Sequence, residues 1–451
     1  MRLQKFLRSM IALIKKKWLS TFSFLLFSIY FFGFFLRIYL TRFGNVGDLL
    51  VFAEWGEKLL ELGPYLFYKY EDWYFSYPTY PPLSALMYGG LAWIFRQNIV
   101  LAHLHNLIKF PPAFVITHLT RIAPNGLFLW QEGYFLTLKL PAILGDLGVS
   151  YLIYKIVFDI TKNKKTSFFA LFAYLFNPVT IFVSSVWGQP ESLIAFFGLF
   201  SFYQLYKKKY LYSTLSLTIS FLIKPTWVVL APLYLYILSK TKISKNEFLV
   251  AVLVPLAFFV MTTFPFSKFE ILDFVTDNFF DRFLPISKGT SKASISSFNI
   301  HSIFLKIDRD FDTAKYLFIS AKNFGFSLYC ALNLIVFDYL KRNKITLKNM
   351  FVSLFIVGYG SILLLTNMLE RYFFIGFVPL VVVAFADTKL FKYMIYLNII
   401  FGLNLFYAFY RRYFDEVDHP FTNYNFLTIR LLSGFNLITW YLLGVKAKIF
   451  K

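Results

Sequence analysis

Long apolar segments separated by clusters of lysine are the feature that most restricts the fold of this chain. Of its 451 residues, 58% are hydrophobic and only 16% are charged, a composition outside that of ordinary soluble domains. A spanning helix needs about 20 mainly apolar residues, and fewer inside a bundle. The sequence therefore predicts an all-α polytopic membrane protein. The segments that fit lie at residues 18–40, 134–158, 168–183, 193–206, 210–221, 227–238, 248–264, 324–340, 350–365, 373–385, 393–409 and 426–443.

Clusters of basic residues follow every second segment of this set. Cytoplasmic loops of membrane proteins are enriched in Lys and Arg, so topology explains most of the excess of 46 basic over 24 acidic residues. We therefore expect about twelve transmembrane helices with both termini in the cytoplasm. Binding to nucleic acid is not expected, because the basic clusters lie between apolar segments rather than on a soluble surface.

Two long stretches, residues 41–133 and 265–316, lie outside in this topology. The first contains a segment, Asn45–Leu83, that is rich in tyrosine and interrupted by proline. The next apolar run, residues 82–95, is short, and counting it as a span would move the following lysine cluster outside. We expect it to lie in the outer interface. The prediction is one domain, residues 1–451, with a large first outer loop that carries interfacial helices.

Polar residues that topology does not require collect on the predicted outer side. Ionisable groups near lipid are costly and usually face a cavity or a partner. Because these residues come from separate segments, we expect one polar, water-containing site. They are Asp48, Glu54, Tyr80, Lys139, Trp187, Gln189, Glu191, Lys224, Asn299, His301, Glu370 and Arg371.

Lys139 and Asp146 need a separate interpretation, because they lie on one face of a predicted helix. Either they contribute to the polar site, or they form an ion pair that holds two helices together. Both interpretations remain open from the residues alone. The single cysteine, Cys330, excludes an internal disulfide and a zinc site built from cysteines.

A series of short motifs follows the same outer side in a defined order. This series resembles the GT-C superfamily of membrane glycosyltransferases, above all the branch related to the second mannosyltransferase of GPI-anchor assembly and its bacterial and archaeal relatives. The resemblance covers residues 35–374 and implies a GT-C-like bundle. The motifs are Gly47-Asp48, Trp55, Tyr80-Pro81-Pro82-Leu83, Lys139-Leu140-Pro141 with Asp146, Asn177-Pro178, Trp187-Gly188-Gln189, Lys224-Pro225, Ser297-Phe298-Asn299-Ile300, and Thr366-Asn367-Met368 with Glu370-Arg371-Tyr372.

The resemblance implies that Asp48 is the catalytic base. A hydroxyl acceptor loses its proton as it attacks the anomeric carbon of a sugar held on a polyprenyl phosphate, and a carboxylate can take that proton. One base with a phosphate leaving group suits a single displacement with inversion. Cations should surround the leaving phosphate. We expect Arg371 first, Lys224 second and Lys139 third in this role, although Arg371 could instead pair with Glu370.

The other polar residues of the set are expected to bind the sugar or the acceptor. Trp187 could stack on the sugar or belong to an interfacial aromatic belt. The chain departs from the pattern of this superfamily at Leu369, where its members often have histidine, and His301 could supply that contact instead. The predicted sugar and acceptor residues are Trp187, Gln189, Glu191, Tyr80, Glu54, Asn299, His301 and Glu370.

Together these observations predict an inverting glycosyltransferase. It would move mannose or another hexose from a polyprenyl-phosphate donor to a hydroxyl of a glycan, glycolipid or protein. The site would face the extracytoplasmic side of a prokaryotic plasma membrane. No cofactor or metal is expected, because cations suffice for a monophosphate and no His-x-x-x-His cluster occurs.

Two alternative functions would also need a polar site among many helices. One is a transporter or flippase of lipid-linked sugars. The other is an oligosaccharide ligase or polymerase, which uses a diphosphate-linked donor. The one-sided distribution of the polar residues favours the glycosyltransferase over the transporter.

Overall fold

The computed structural model describes residues 21–44, 47–97, 132–283, 291–413 and 426–450. Within these ranges the chain is mostly helical, and its paired strands form one short antiparallel ladder of Lys315–Tyr316 with Ile319–Ser320. The all-α prediction is therefore confirmed. The N-terminal basic residues, the start of the predicted first span and much of the predicted first outer loop, residues 45–46 and 98–131, lie outside the described residues.

Most helices of the first half are joined by short turns. In chain order they are α1 (Thr21–Leu40), α2 (Gly47–Phe67), α3 (Pro82–Arg96), α4 (Glu132–Thr161), α5 (Lys164–Leu175), α6 (Pro178–Ile181) with a π-helical continuation (Phe182–Trp187), α7 (Glu191–Tyr206), α8 (Tyr210–Ile223), a 3₁₀ turn (Pro225–Leu230) and α9 (Ala231–Ser239).

The second half contains the longer connections. Its elements are α10 (Lys245–Ser267), α11 (Ile271–Phe274) with a π-helical continuation (Val275–Phe283), α12 (Ile300–Phe304), β1 (Lys315–Tyr316), β2 (Ile319–Ser320), α13 (Ala321–Asn343), α14 (Leu347–Leu364), a 3₁₀ turn (Glu370–Phe373), α15 (Phe374–Ala386), a 3₁₀ turn (Thr388–Leu390), α16 (Phe391–Tyr413) and α17 (Phe426–Lys446).

Several helices are long and apolar enough to cross a membrane, so the chain is a multi-pass membrane protein. A bent pair, Lys164–Leu175 with Pro178–Trp187, turns by 44° and adds a seventh span if it is counted as one. The six single helices of this kind in the described ranges are Gly133–Thr161, Lys245–Ser267, Ala321–Asn343, Leu347–Leu364, Thr388–Tyr410 and Leu427–Lys446.

This count is lower than the predicted number of about twelve spans. Most of the other predicted spans coincide with shorter helices: α15 has 13 residues and α7 has 16. Nearly every residue of α15 is buried by protein. The difference comes from helix length and not from burial, because α14 is also nearly all buried and is still long enough to count as a span.

Polar side chains set the starts of several helices. The Asn163 side chain accepts the backbone N–H groups of Lys165 and Thr166 at the start of α5. Asn177 accepts the N–H of Val179, and Pro178 follows it in the first turn of α6. Such caps satisfy donors that have no partner inside the helix. The Asn-Pro pair therefore fixes the bend between α5 and α6, which leads directly to Trp187.

A buried charged network joins α1 to α4 and α5. The Arg37 Nε donates to Asp146 Oδ2 at 2.9 Å, and both side chains are 0% exposed. Arg37 Nη1 also donates to the Leu175 carbonyl at 2.8 Å, and the Tyr174 hydroxyl donates to Asp146 Oδ1 at 2.8 Å. Asp146 therefore forms the helix-joining ion pair, but its partner is Arg37 and not Lys139.

We predict that Asp146→Asn destabilises the fold strongly. The change leaves the Arg37 guanidinium buried without its counter-charge, and breaking a buried pair on one side costs about 3–5 kcal/mol. Thermal unfolding in detergent measures this loss. The matched control, Asp338→Asn, breaks the exposed pair with Arg342 and should change stability by less than about 1 kcal/mol. Equal unfolding of the two variants would contradict the structural role of the network.

Candidate functional site

The carboxylate of Asp48 lies at the centre of a polar site beside the first turn of α2. Its Oδ2 accepts a hydrogen bond from Trp187 Nε1 at 3.0 Å and another from Gln189 Nε2 at 2.8 Å. The side chain is half-buried. A carboxylate held by two donors in a position that is still partly open has a fixed orientation and remains accessible to a ligand.

The local backbone explains how both donors reach one oxygen. The π-helical turn Phe182–Trp187 ends at Gly188, which has φ 77° and ψ 27°. The Gln189 N–H then bonds back to the Val183 carbonyl at 3.0 Å. The left-handed conformation favours glycine, and a Cβ at this position would lie 2.8 Å from side-chain atoms of Leu49 and Lys139. Glycine is therefore needed for the turn that presents Trp187 and Gln189.

Arg371 lies next to Asp48 and is almost fully buried. It is 6% exposed, its Nη1 donates to Glu370 Oε1 at 3.0 Å, and its guanidinium lies 5.6 Å from the centre of the Trp187 ring. Burial alone would lower the pKa of Arg371, but the charges of Asp48 and Glu370 outweigh it and raise the pKa well above its usual value. The site therefore contains a permanent cation.

Lys224 provides a second buried cation at the end of α8. Its Nζ donates to Glu191 Oε1 and lies 4.9 Å from the Tyr80 ring centre and 5.1 Å from that of Tyr372. The same Glu191 oxygen lies 3.8 Å from Arg371 Nε. Glu191 is the first residue of α7, where the helix dipole favours a negative charge. One carboxylate therefore links the two cations.

The Tyr80 ring lies against the Lys224 ammonium. Its carbonyl accepts the Tyr68 hydroxyl at 2.7 Å, which fixes the loop that leads into α3. Burial raises the pKa of the Tyr80 phenol, and nearby Arg371 offsets only part of that effect. The hydroxyl is therefore neutral at physiological pH and can donate or accept a hydrogen bond.

Three buried polar atoms at this site lack a hydrogen-bond partner within the part of the chain that the structure describes. They are Gln189 Oε1, Glu191 Oε2 and Arg371 Nε. An unsatisfied buried polar atom costs about 1–3 kcal/mol, so native proteins rarely contain several in one place. The two acceptors and one donor are suited to a polar ligand that both donates and accepts hydrogen bonds.

Most of the predicted polar residues thus meet at one place, which we call the Asp48 site. Each of them lies at or beside the end of a helix or turn. Trp187 has a different role from the predicted stacking on the sugar. Its ring is 1% exposed and is covered by Phe409 and Arg371, so its face cannot stack on a sugar. Its N–H instead orients Asp48. The residues of the site are Asp48, Tyr80, Trp187, Gln189, Glu191, Lys224, Glu370 and Arg371.

Lys139 lies under the Asp48 site but does not face it. Its Nζ donates to the carbonyls of Thr41, Phe43 and Val186 at 2.8, 3.1 and 3.0 Å. An ammonium group has three N–H donors, and all three are used. Lys139 therefore holds the end of α1 against the turn before Trp187, which differs from the predicted contact with phosphate.

Glu54 also has a backbone role in place of the predicted contact with sugar or acceptor. Its two carboxylate oxygens accept the N–H groups of Tyr74 and Phe75 at 2.6 and 3.0 Å, and the side chain is 5% exposed. These bonds organise the tyrosine-rich loop between α2 and α3. The tyrosine-rich loop is therefore ordered, because the buried Glu54 carboxylate binds its backbone.

Asn299 and His301 lie apart from the Asp48 contacts. The Asn299 side chain accepts the N–H groups of His301 and Ser302 and begins α12. His301 Nε2 bonds the Leu364 carbonyl at 2.9 Å, and Nδ1 bonds the Tyr316 hydroxyl at 3.0 Å. Because a carbonyl only accepts, Nε2 carries the proton. Both side chains therefore support the loop next to α14.

The sequence interpretation missed the contribution of Tyr372. Its ring lies against the Lys224 ammonium, and the only available signal was its position directly after Glu370-Arg371. Metal ligation receives no support from the described ranges, where no group of three His, Cys, Asp or Glu side chains is placed to hold an ion.

No model of a known protein family matches the chain, and a search of curated proteins finds no match either.

We predict that Gly188→Ala disturbs the Asp48 site. A left-handed conformation costs an alanine about 1–2 kcal/mol, and the added Cβ would overlap Leu49 and Lys139. Thermal unfolding should show a loss of roughly 2 kcal/mol or more. The matched control is Gly434→Ala in α17, where a Cβ meets nothing within 4 Å and helix propensity favours alanine. An equal response of the two variants would show that the turn tolerates a side chain.

We also predict a pH-dependent contribution of His301 to stability. Burial lowers the pKa of His301 from 6.5 to about 4, so the unfolded chain binds a proton more readily than the folded chain. The neutral ring's contribution is complete above pH 6.5 and is lost as pH falls toward 4, by roughly 3 kcal/mol in total. Melting curves of wild type and His301→Gln between pH 7 and pH 5 test this. Parallel curves would contradict it.

Proposed function

We propose that the protein is an inverting glycosyltransferase that uses a polyprenyl-phosphate sugar as donor. The observation that carries this proposal is the Asp48 carboxylate, oriented by Trp187 and Gln189 beside the buried cation Arg371. A positioned base next to fixed positive charge is the minimum that such a transfer needs. The multi-pass fold suits a donor that is anchored in lipid.

Asp48 acts as the general base in this mechanism. The acceptor hydroxyl gives its proton to the carboxylate as its oxygen forms a bond to the anomeric carbon. The bond from that carbon to the phosphate oxygen breaks, and the electron pair leaves with the polyprenyl phosphate. One displacement inverts the configuration, whereas retention would need a second, nucleophilic carboxylate.

Arg371 and Lys224 stabilise the phosphate as its negative charge grows. Arg371 Nε is buried and has no hydrogen-bond partner among the described residues, and an ammonium has two donors beyond the one that Lys224 gives to Glu191. Glu191 and Glu370 hold the two cations in place before the donor binds. Such fixed charges need no reorganisation during the reaction.

The sugar is held by the remaining polar atoms of the site. Gln189 Oε1 and Glu191 Oε2 are buried acceptors that sugar hydroxyls can satisfy. The neutral Tyr80 hydroxyl is a further donor or acceptor. A mannosyl or another hexosyl group suits these contacts, and the acceptor is a glycan, a glycolipid or a protein.

The resemblance to the GT-C superfamily supplies the finer details of this proposal. It includes about twelve spans, with the short helices α7 and α15 completing the bundle, and a site on the extracytoplasmic face of a prokaryotic plasma membrane. Support comes from the basic clusters, which follow every second apolar segment. No cofactor or metal takes part in the proposed reaction.

Glycosyl transfer in detergent tests the proposal. Purified protein receives synthetic short-chain polyprenyl-phosphate mannose or glucose together with extracted membrane lipids. Asp48→Asn should lower transfer by about 10²-fold or more, since general base catalysis contributes about 10²–10⁴. Arg371→Lys should also lower it, because lysine lacks the planar fork that binds phosphate oxygens.

Asp338→Asn is the matched control, since it neutralises an exposed carboxylate near the end of α13 and should leave transfer unchanged. Donor turnover that survives Asp48→Asn would remove Asp48 from the mechanism. Turnover of a diphosphate donor alone would favour the ligase, and movement of labelled lipid-linked sugar across proteoliposomes without turnover would favour the transporter.

A further inference from the structure

A second polar cavity, distinct from the Asp48 site, lies between the end of α2 and the turn from α10 into α11. Its volume is about 310 Å³, at the lower end of the range of about 300–1,000 Å³ for ligand pockets. We call it the lateral pocket. The negatively charged groups that line it are Glu71, Glu270, Asp273 and Asp277, with Asn278 and Tyr68 beside them.

The charges of the lateral pocket are unbalanced. Its cations are Lys69 and Arg282, so four carboxylates face two basic groups. Arg282 Nη1 donates to the Tyr68 carbonyl at 3.1 Å. The Arg282 guanidinium is therefore bound to the backbone. Lys69 lies 3.7 Å from Glu270 and 4.1 Å from the Tyr65 ring centre. The remaining negative charge favours a cationic ligand.

A buried acceptor points to a ligand that donates hydrogen bonds. Asn278 is 7% exposed, and its Nδ2 donates to the Phe274 carbonyl at 3.1 Å. That bond fixes the orientation of the amide of this lining residue, and its Oδ1 is buried without a hydrogen-bond partner among the described residues. A buried amide oxygen beside carboxylates is suited to a primary ammonium, which has three N–H donors.

Two large apolar side chains beside the lining residues of the lateral pocket are strongly exposed. Phe269 is 92% exposed and Leu272 is 81% exposed, and each adjoins an acidic residue of the lining, Glu270 and Asp273. Large apolar side chains next to charged ones in a membrane protein are typical of the lipid interface. The source of the ammonium is therefore a lipid headgroup and not a soluble amine.

We propose that the lateral pocket binds the ammonium headgroup of a membrane lipid such as phosphatidylethanolamine. The carboxylates and Asn278 Oδ1 hold the ammonium group, while Phe269 and Leu272 contact the acyl chains. Tyr68, in the pocket wall, donates its hydroxyl to the Tyr80 carbonyl at 2.7 Å. The bound lipid therefore supports the loop that carries Tyr80 into the Asp48 site. This binding does not depend on the proposed glycosyl transfer.

Native mass spectrometry of the full chain in detergent tests this inference directly. Phosphatidylethanolamine, phosphatidylcholine and phosphatidylglycerol with identical acyl chains are added in turn. We expect phosphatidylethanolamine to bind at least threefold more strongly than the other two, because only its headgroup has a cationic N–H donor. Asp273→Asn/Asp277→Asn should remove the preference, and Asp338→Asn should keep it.

Glu71→Gln/Glu270→Gln is a second variant, which neutralises the other two carboxylates of the lining, and it should also weaken the preference. Equal binding of phosphatidylglycerol, or a preference that survives both double variants, would overturn the proposal. Free ethanolamine that binds as strongly as the lipid would overturn the lipid source. Stabilisation by Ca²⁺ alone, lost in Asp273→Asn/Asp277→Asn, would identify a metal site instead.

Discussion

The hydrogen bonds that Trp187 and Gln189 give to Asp48 are the interaction on which the rest of this structure depends. They require the bend after Asn177, the π-helical turn and a left-handed glycine at 188. Lys139 stabilises this turn by donating hydrogen bonds to three backbone carbonyls. These buried hydrogen bonds therefore act together to position the Asp48 carboxylate.

The electrostatics of the Asp48 site follow from burial. Charges removed from water are tolerated only when they are paired and hydrogen-bonded, and Glu191 and Glu370 fulfil this requirement for Lys224 and Arg371. The pairing keeps both cations ordered, and Arg371 retains a raised pKa. A preorganised cluster of this kind can stabilise a phosphate leaving group without a metal ion, which is the role given to it in the proposed transferase.

The sequence predicted the helical membrane fold and the residues that meet around Asp48, because charges near lipid have few tolerable positions. It did not predict the number of long helices, since several of the apolar segments form helices as short as α7 and α15, with 16 and 13 residues. Glu54, Lys139, Asn299 and His301 were assigned to a ligand but bind backbone or neighbouring side chains. A polar residue type does not reveal whether its partner is a ligand or a carbonyl, and only the three-dimensional contacts distinguish the two.

The anomeric configuration of the product tests the central claim most directly. Proton NMR of the glycoside formed from a polyprenyl-phosphate sugar of known configuration reports whether the anomeric centre was inverted. A single displacement assisted by the Asp48 carboxylate predicts inversion in every product molecule. Retention would require a covalent intermediate on a second carboxylate, and it would contradict the account of Asp48 as a base flanked by two paired cations.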